Sequence, residues 1–150
     1  MSLAEEVELL KRIPLFANIE VSKLKLLAFT SERIRYKAGE TLFNQDEMGD
    51  SAHIIMDGEA DIVVNTPSGP LTVATMQKND FVGEIAILCD VPRTATVKAK
   101  TDMTTLCINK DLFFRLVTEF PEMAVEIMRV LAQRLEATTK ELAQYKQASS

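Results

Sequence analysis

The residues best suited to bind a ligand lie in one segment, residues 80–97, with the sequence DFVGEIAILCDVPRTATV. A glycine is followed by a stretch able to form a short helix, then by a turn, and then by Arg93 at the entry of a predicted strand. Backbone N–H groups at a helix start carry partial positive charge and can bind an anion. The Arg93 guanidinium adds a full charge and can donate two parallel hydrogen bonds to a phosphate, each worth roughly 1.5 to 3 kcal/mol. The segment therefore predicts a phosphate site.

Glu84 lies within the same segment, where a carboxylate would repel a bound anion. Its presence makes sense if the carboxylate accepts hydrogen bonds from a neutral group, such as a ribose hydroxyl. The alternative is that Glu84 and Arg93 form an ion pair with each other and hold no ligand. The residues alone leave both interpretations open.

The two halves of this segment, residues 83–86 (GEIA) and 92–97 (PRTATV), resemble the phosphate-binding cassette of the cyclic-nucleotide-binding domain family, with the spacing expected for that family. The turns at 38–43, 49–50 and 57–59 also resemble that family, so the similarity covers most of the chain. This resemblance implies that Glu84 binds the ribose 2′-hydroxyl and Arg93 the cyclic phosphate. His53 departs from the pattern, because many family members carry an aromatic residue there, and Glu47 replaces a common turn glycine.

The same resemblance supplies the rest of the predicted ligand site. Around the phosphate, the cassette contributes Gly83, Ile85, Ala86, Thr94 and Ala95. Around the base, the implied residues are Ile62, Val73 and Met76 on strands, and Thr138 and Thr139 on the C-terminal helix, which is similar to the dimer helix of Crp/Fnr-type regulators. The threonine pair favours cyclic AMP over cyclic GMP.

Composition narrows the range of functions. The 150 residues carry a net charge of −5, which disfavours direct binding to nucleic acid. One histidine and two cysteines give no metal cluster and no His-based triad, so we expect no metal, no cofactor and no catalysis. The apolar runs are too short to span a membrane and the N-terminus is acidic rather than signal-like, which predicts a cytoplasmic protein.

Hydrophobic patterning predicts a single domain over residues 1–150, mainly β with flanking helices: an antiparallel double-stranded β-helix, or β-roll, of the jelly-roll type. Helices are expected in residues 1–30 (Leu3 to Ile13, Val21 to Phe29), the roll with its cassette (81–97) in 31–109, and helices again in 110–147 (Lys110 to Thr118, Pro121 toward Lys146). The predicted strands are Arg33 to Tyr36, Thr41 to Asn44, Ala52 to Met56, Ala60 to Asn65, Leu71 to Met76, Thr94 to Lys100 and Thr104 to Ile108.

The last helix carries an apolar stripe whose members alternate at spacings of four and three, the a/d pattern of a two-stranded coiled coil: Ala124, Met128, Leu131, Leu135, Thr138, Leu142 and Tyr145. This stripe predicts a homodimer. The leading hypothesis is thus a sensor in which a cyclic nucleotide couples the roll to the C-terminal helix. The alternative, from another functional class, is a structural or protein-interaction β-roll that works without a ligand.

Overall fold

The computed structural model describes residues 2–149, so Met1 and Ser150 of the predicted domain lie outside the described residues. The chain starts with α1 (Leu3–Lys11), a 3₁₀ turn (Pro14–Phe16) and α2 (Val21–Thr30). Helix α1 ends two residues before the predicted Ile13, because Ile13 precedes Pro14 and adopts the extended conformation (φ −79°, ψ 120°) that a following proline favours.

Eight strands and one short helix follow within the described part of the chain: β1 (Glu32–Tyr36), β2 (Thr41–Phe43), β3 (Ser51–Asp57), β4 (Ala60–Thr66), β5 (Gly69–Met76), β6 (Phe81–Val82), α3 (Glu84–Cys89), β7 (Thr96–Ala99) and β8 (Met103–Asn109). The chain then forms α4 (Lys110–Glu119) and α5 (Pro121–Ser149). The strands make two antiparallel four-stranded sheets, in the orders β1-β8-β3-β6 and β2-β7-β4-β5. The predicted fold class is confirmed.

Two differences between the predicted and the observed strands concern the cassette. Strand β6 has only two residues, paired with His53 and Ile54 of β3, and so is too short to show a period of two. Strand β7 begins at Thr96 rather than Thr94. Arg93 therefore lies in an irregular segment before the strand, where its backbone N–H and C=O bond the β2–β3 loop (residues 44–50) instead of a neighbouring strand.

The buried apolar residues form two clusters. The larger one joins the outer face of the β1-β8-β3-β6 sheet to the helices, and includes Phe16, Leu24 and Phe113. The smaller one fills the inside of the roll. The start of α5 packs on the larger cluster through Met123 and Ile127, whereas most of its length beyond residue 131 is exposed.

Within residues 2–149, no helix is long and apolar enough to cross a membrane, and no group of three or more His, Cys, Asp or Glu side chains is arranged to hold a metal ion. Cys89 and Cys107 are both free thiols.

Candidate functional site

Gly83 connects β6 to α3 and sets the geometry of the cassette. Its φ of 85° lies in the left-handed region, where residues with a side chain are strained. A Cβ at this position would also lie 2.6 Å from Nη1 of Arg93. Glycine is therefore required here both by the backbone turn and by the close approach of the arginine.

The Arg93 side chain is only 5% exposed and is held by main-chain acceptors. Its Nη1 donates to the Gly83 carbonyl (2.9 Å) and its Nη2 to the Ser51 carbonyl (2.8 Å). The guanidinium carbon stands 3.9 Å from the centroid of the Phe43 ring, a cation–π distance. Burial lowers the pKa of Arg93, and nearby carboxylates, chiefly Asp50, oppose that shift. Since an arginine keeps its proton far above neutral pH, the cation remains charged.

The Arg93 backbone is anchored separately from its side chain. Its N–H donates to the carbonyl of Glu47 (2.7 Å), and its carbonyl accepts from the N–H of Asp46 (2.8 Å). Asp46 has a φ of 72°, so this loop adopts a left-handed turn in order to reach the cassette. Glu47, where the family commonly has a glycine, is thus placed so that its carbonyl positions Arg93.

Glu84, which is 4% exposed, pairs with a different arginine. Arg134 of α5 donates from Nη1 to Oε1 of Glu84 (3.1 Å) and from Nη2 to the Phe81 carbonyl (2.9 Å), and its guanidinium lies 4.7 Å from the Phe81 ring centroid. Burial raises the pKa of Glu84, while its own backbone N–H, the charge of Arg134 and that of Arg93 act against the rise. The contacts of Glu84 and Arg93 among the described residues therefore do not support the alternative in which these two form an ion pair with each other.

A cavity of about 330 Å³ separates the cassette from α5. Most of the predicted site residues line it: Gly83, Glu84, Ile85, Ala86, Arg93, Thr94, Ala95, Ile62, Met76 and Thr138. Residues that the sequence prediction did not include also line it: Phe43, Val82, Val97, Leu131, Arg134 and Leu135. Two guanidinium groups and one carboxylate leave one positive charge in excess, and much of the remaining wall is apolar.

Val73 and Thr139 do not line this cavity. Val73 is 50% exposed and falls at a β-bulge, where Ile62 pairs with Ala74 but Val63 pairs with Thr72. The bulge leaves Val73 without a partner in the register, which strand alternation alone does not reveal. Thr139 is exposed and follows Thr138 on α5, so it points about 100° away around the helix.

Arg134 is the charged group that the sequence prediction missed. The signal is present in helical spacing, since Leu131, Arg134, Leu135 and Thr138 follow one another at i, i+3, i+4 and i+7 and so share one face of α5. The a/d pattern assigns three of these residues to a dimer stripe, and in the structure the same three line the cavity, with Leu135 68% exposed. An arginine on the same face as that stripe indicates a buried anionic partner.

Comparison with known proteins places these features in a family. The family model for the cyclic nucleotide-binding domain matches residues 33–120. A CRP-like cAMP-activated global transcriptional regulator of Mycobacterium tuberculosis is 30% identical over 137 residues, which cover 91% of this chain and 61% of that protein. The cAMP-dependent protein kinase regulatory subunit of Aspergillus niger is 33% identical over 108 residues, which cover 72% of this chain and 26% of that protein. The chain thus spans about three fifths of the first relative and about a quarter of the second.

The fold agrees with this match. The catabolite activator protein of Thermus thermophilus superposes with a TM-score of 0.76, covering 89% of this chain and 63% of that protein, and at 23% identity this similarity concerns the fold alone. The region matched by the family model covers the cassette and nearly all of the roll. It includes Glu84 and Arg93, which line the same cavity. The chain therefore belongs to the cyclic nucleotide-binding domain family.

Proposed function

We propose that this domain binds a cyclic nucleotide, cyclic AMP in preference to cyclic GMP, and that binding acts on α5. The observation that carries the proposal is the cavity itself, in which Arg93, Glu84 and one face of α5 meet. Its volume of about 330 Å³ lies within the range of roughly 300 to 1,000 Å³ usual for small-molecule sites. The single positive charge in excess suits a ligand that carries one negative charge, as a cyclic phosphodiester does.

The cavity offers suitable residues for the phosphate, the ribose and the base of the ligand. Arg93 would bind the phosphate, because it lines the cavity and each of its terminal nitrogens, after donating to a carbonyl, keeps a second N–H. Glu84 would accept a hydrogen bond from the ribose hydroxyl. The base would lie between Ile62 and Met76 of the roll and Leu131 of α5, all of which line the cavity.

The preference for cyclic AMP rests on the shortage of polar groups at this apolar end. Of the α5 residues that line the cavity, Thr138 supplies a hydroxyl and Arg134 already donates to Glu84 and to the Phe81 carbonyl, whereas Leu131 and Leu135 supply no polar group. Guanine carries both a carbonyl and an exocyclic amine, whereas adenine carries only the amine. A buried polar group without a partner costs roughly 1 to 3 kcal/mol, so the base with fewer such groups is favoured.

Binding would reach α5 through Glu84. In the structure the carboxylate is engaged by Arg134, and a ribose hydroxyl would use the same carboxylate. A ligand shifts the equilibrium between two protein conformations only if it binds them with different affinities. Competition between the ribose hydroxyl and Arg134 for the Glu84 carboxylate would provide such a difference. We further propose that α5 dimerises beyond the cavity, where Leu142 and Tyr145 are 53% and 72% exposed. The acidic charge of the chain favours a sensor role over direct contact with nucleic acid.

Titration calorimetry with cyclic AMP and cyclic GMP tests the proposal. We expect saturable binding of both, tighter for cyclic AMP, and a loss of about a hundredfold or more in Arg93→Leu, since two charge-assisted hydrogen bonds disappear. Arg93→Lys should also bind weakly, because an ammonium cannot reproduce the planar two-point contact. Arg129→Leu is the matched control, since that side chain is 58% exposed on α5 and does not line the cavity.

No heat with either nucleotide would contradict the proposal and favour the ligand-independent β-roll. Wild-type affinity in Arg93→Lys would refute the two-point contact specifically. A turnover assay on cyclic AMP separates binding from catalysis, and we expect the nucleotide to remain intact.

A further inference from the structure

Gly49, at the end of the β2–β3 loop, lies against the side chain of Arg93. A Cβ built on Gly49 would stand 2.9 Å from Cδ of Arg93 and closer still to Nε and Cζ. Real Cβ atoms essentially never approach heavy atoms so closely. As the structure stands, there is no room for any side chain at position 49.

The need for glycine at this position is steric and not conformational. Gly39, Gly58, Gly69 and Gly83 have positive φ values, but Gly49 does not. The backbone at Gly49 therefore lies outside the left-handed region that favours glycine. What an added methyl group would displace is the end of the Arg93 side chain, which is more easily moved than the main chain.

The other contacts of Arg93 define one position for its guanidinium. The Phe43 ring packs on it at 3.9 Å, and the carbonyls of Gly83 and Ser51 accept from its two terminal nitrogens. Nε lies beside Gly49. The main chain of Arg93 is fixed independently through Glu47, so a displaced side chain could not recover its position by a shift of the whole segment.

We infer that Gly49 is a positioning residue for the phosphate-binding arginine: its missing side chain leaves the space in which the Arg93 guanidinium is held between Phe43 and the two carbonyls. The inference rests on the proposed function, since it assigns Arg93 to the ligand. It adds a determinant of affinity outside the cassette, in a loop that does not line the cavity.

The test compares Gly49→Ala with Gly39→Ala. Gly39 has a φ of 91°, and a Cβ added to it would meet no atom within 4 Å, so alanine there strains the backbone without touching Arg93. We expect Gly49→Ala to weaken cyclic AMP binding at least tenfold in calorimetry and also to lower the melting temperature, because the displaced guanidinium loses its hydrogen bonds to the Gly83 and Ser51 carbonyls. Gly39→Ala should lower the melting temperature but keep wild-type affinity.

A second measurement needs no nucleotide. The Phe43 ring should shift the side-chain resonances of Arg93 upfield, and NMR should show these resonances moving toward their ordinary values in Gly49→Ala but not in Gly39→Ala. If the wild-type protein binds and Gly49→Ala binds equally well, the inference is wrong. If the wild-type protein binds neither nucleotide, the proposed function fails, and unchanged Arg93 resonances in Gly49→Ala would then overturn the inference as well.

Discussion

The ion pair between Glu84 and Arg134 gives the sharpest test of how α5 is attached to the roll. Arg134→Met keeps an unbranched side chain but removes the hydrogen bonds to the Glu84 carboxylate and to the Phe81 carbonyl. Leaving a fully buried charge unpaired costs about 3 to 5 kcal/mol. The Arg134 side chain is 26% exposed, so water can partly replace it. We therefore expect a loss of about 1.5 to 3 kcal/mol in the free energy of unfolding at pH 7, the range for a hydrogen bond to a charged group.

Urea denaturation at a fixed protein concentration measures this loss, with Arg129→Met as the control. Arg129 pairs with Glu126 at the exposed surface, where removal should change stability by less than about 1 kcal/mol. In a Glu84→Gln background, Arg134→Met should cost much less, because a neutral amide needs no counter-charge. An equal cost in both backgrounds, or a cost no greater than that of Arg129→Met, would refute the reasoning.

The pH dependence of the same variant has a definite sign. Burial raises the pKa of Glu84 above its ordinary value of 4.5, and Arg134 opposes the rise, so removing Arg134 raises the pKa further. A carboxyl group with a raised folded-state pKa loses stability as pH increases through that pKa, because the folded state must then bury a charge. The difference between wild type and Arg134→Met should therefore be small near pH 4.5 and should grow toward pH 7. A difference that is constant over this range would show that charge on Glu84 is not the cause.

Three further predictions follow from the described contacts. Burial, followed by the charge of Arg93, lowers the pKa of His53 to about 4. Between pH 6.5 and pH 4.5 the unfolded state binds a proton at this histidine and the folded state does not, so wild type should lose up to about 2 kcal/mol of stability as the pH falls. In urea titrations, His53→Phe should flatten this pH dependence. A Leu142→Glu variant, which alters an exposed position of α5 beyond the cavity, should shift the protein from dimer to monomer in analytical ultracentrifugation while leaving a monomer able to bind nucleotide. Thr138→Val should weaken cyclic AMP binding about five- to tenfold in calorimetry through loss of one neutral hydrogen bond, and an unchanged affinity would remove Thr138 from the site.

The roll could be predicted from the sequence because its strands obey local rules. Strand β4 (Ala60–Thr66), for example, has β-branched residues and begins after the Asp57-Gly58 turn, where the φ of Gly58 is 87°. The cassette could be identified because residues 83–86 and 92–97 resemble that of the family, whereas the residues alone left an ion pair between Glu84 and Arg93 open. Where the local rules stop, the structure differs from the prediction: β6 is only two residues long, and Val73 lies at a bulge that no local pattern marks and does not line the cavity.

The helix α5 shows a different kind of failure. A stripe of apolar residues on a helix has the same spacing whether it packs on its own domain, lines a cavity or meets a second chain. Here the stripe changes surroundings along the helix: Met128 is 59% exposed, Leu131 and Leu135 line the cavity, and Leu142 lies beyond the cavity and is 53% exposed. Only the tertiary structure separates these three stretches, because the sequence pattern is continuous through them.

The two arginines of the cavity are held by different parts of the molecule, so we expect Arg93 to affect ligand affinity and Arg134 to affect the attachment of α5. Arg93 is held within the roll by the carbonyls of Ser51 in β3 and of Gly83. We therefore expect a substitution of Arg93 to change ligand affinity while α5 stays docked on the roll. Arg134 belongs to α5 and reaches the roll through Glu84, so changing it alters the attachment of the helix itself. A ligand that contacts both Arg93 and Glu84 would gain affinity from Arg93, and its contact with Glu84 would change the attachment of α5. Variants of Arg93 should therefore reduce affinity with α5 still docked, whereas variants of Arg134 should loosen α5 even when no ligand is present.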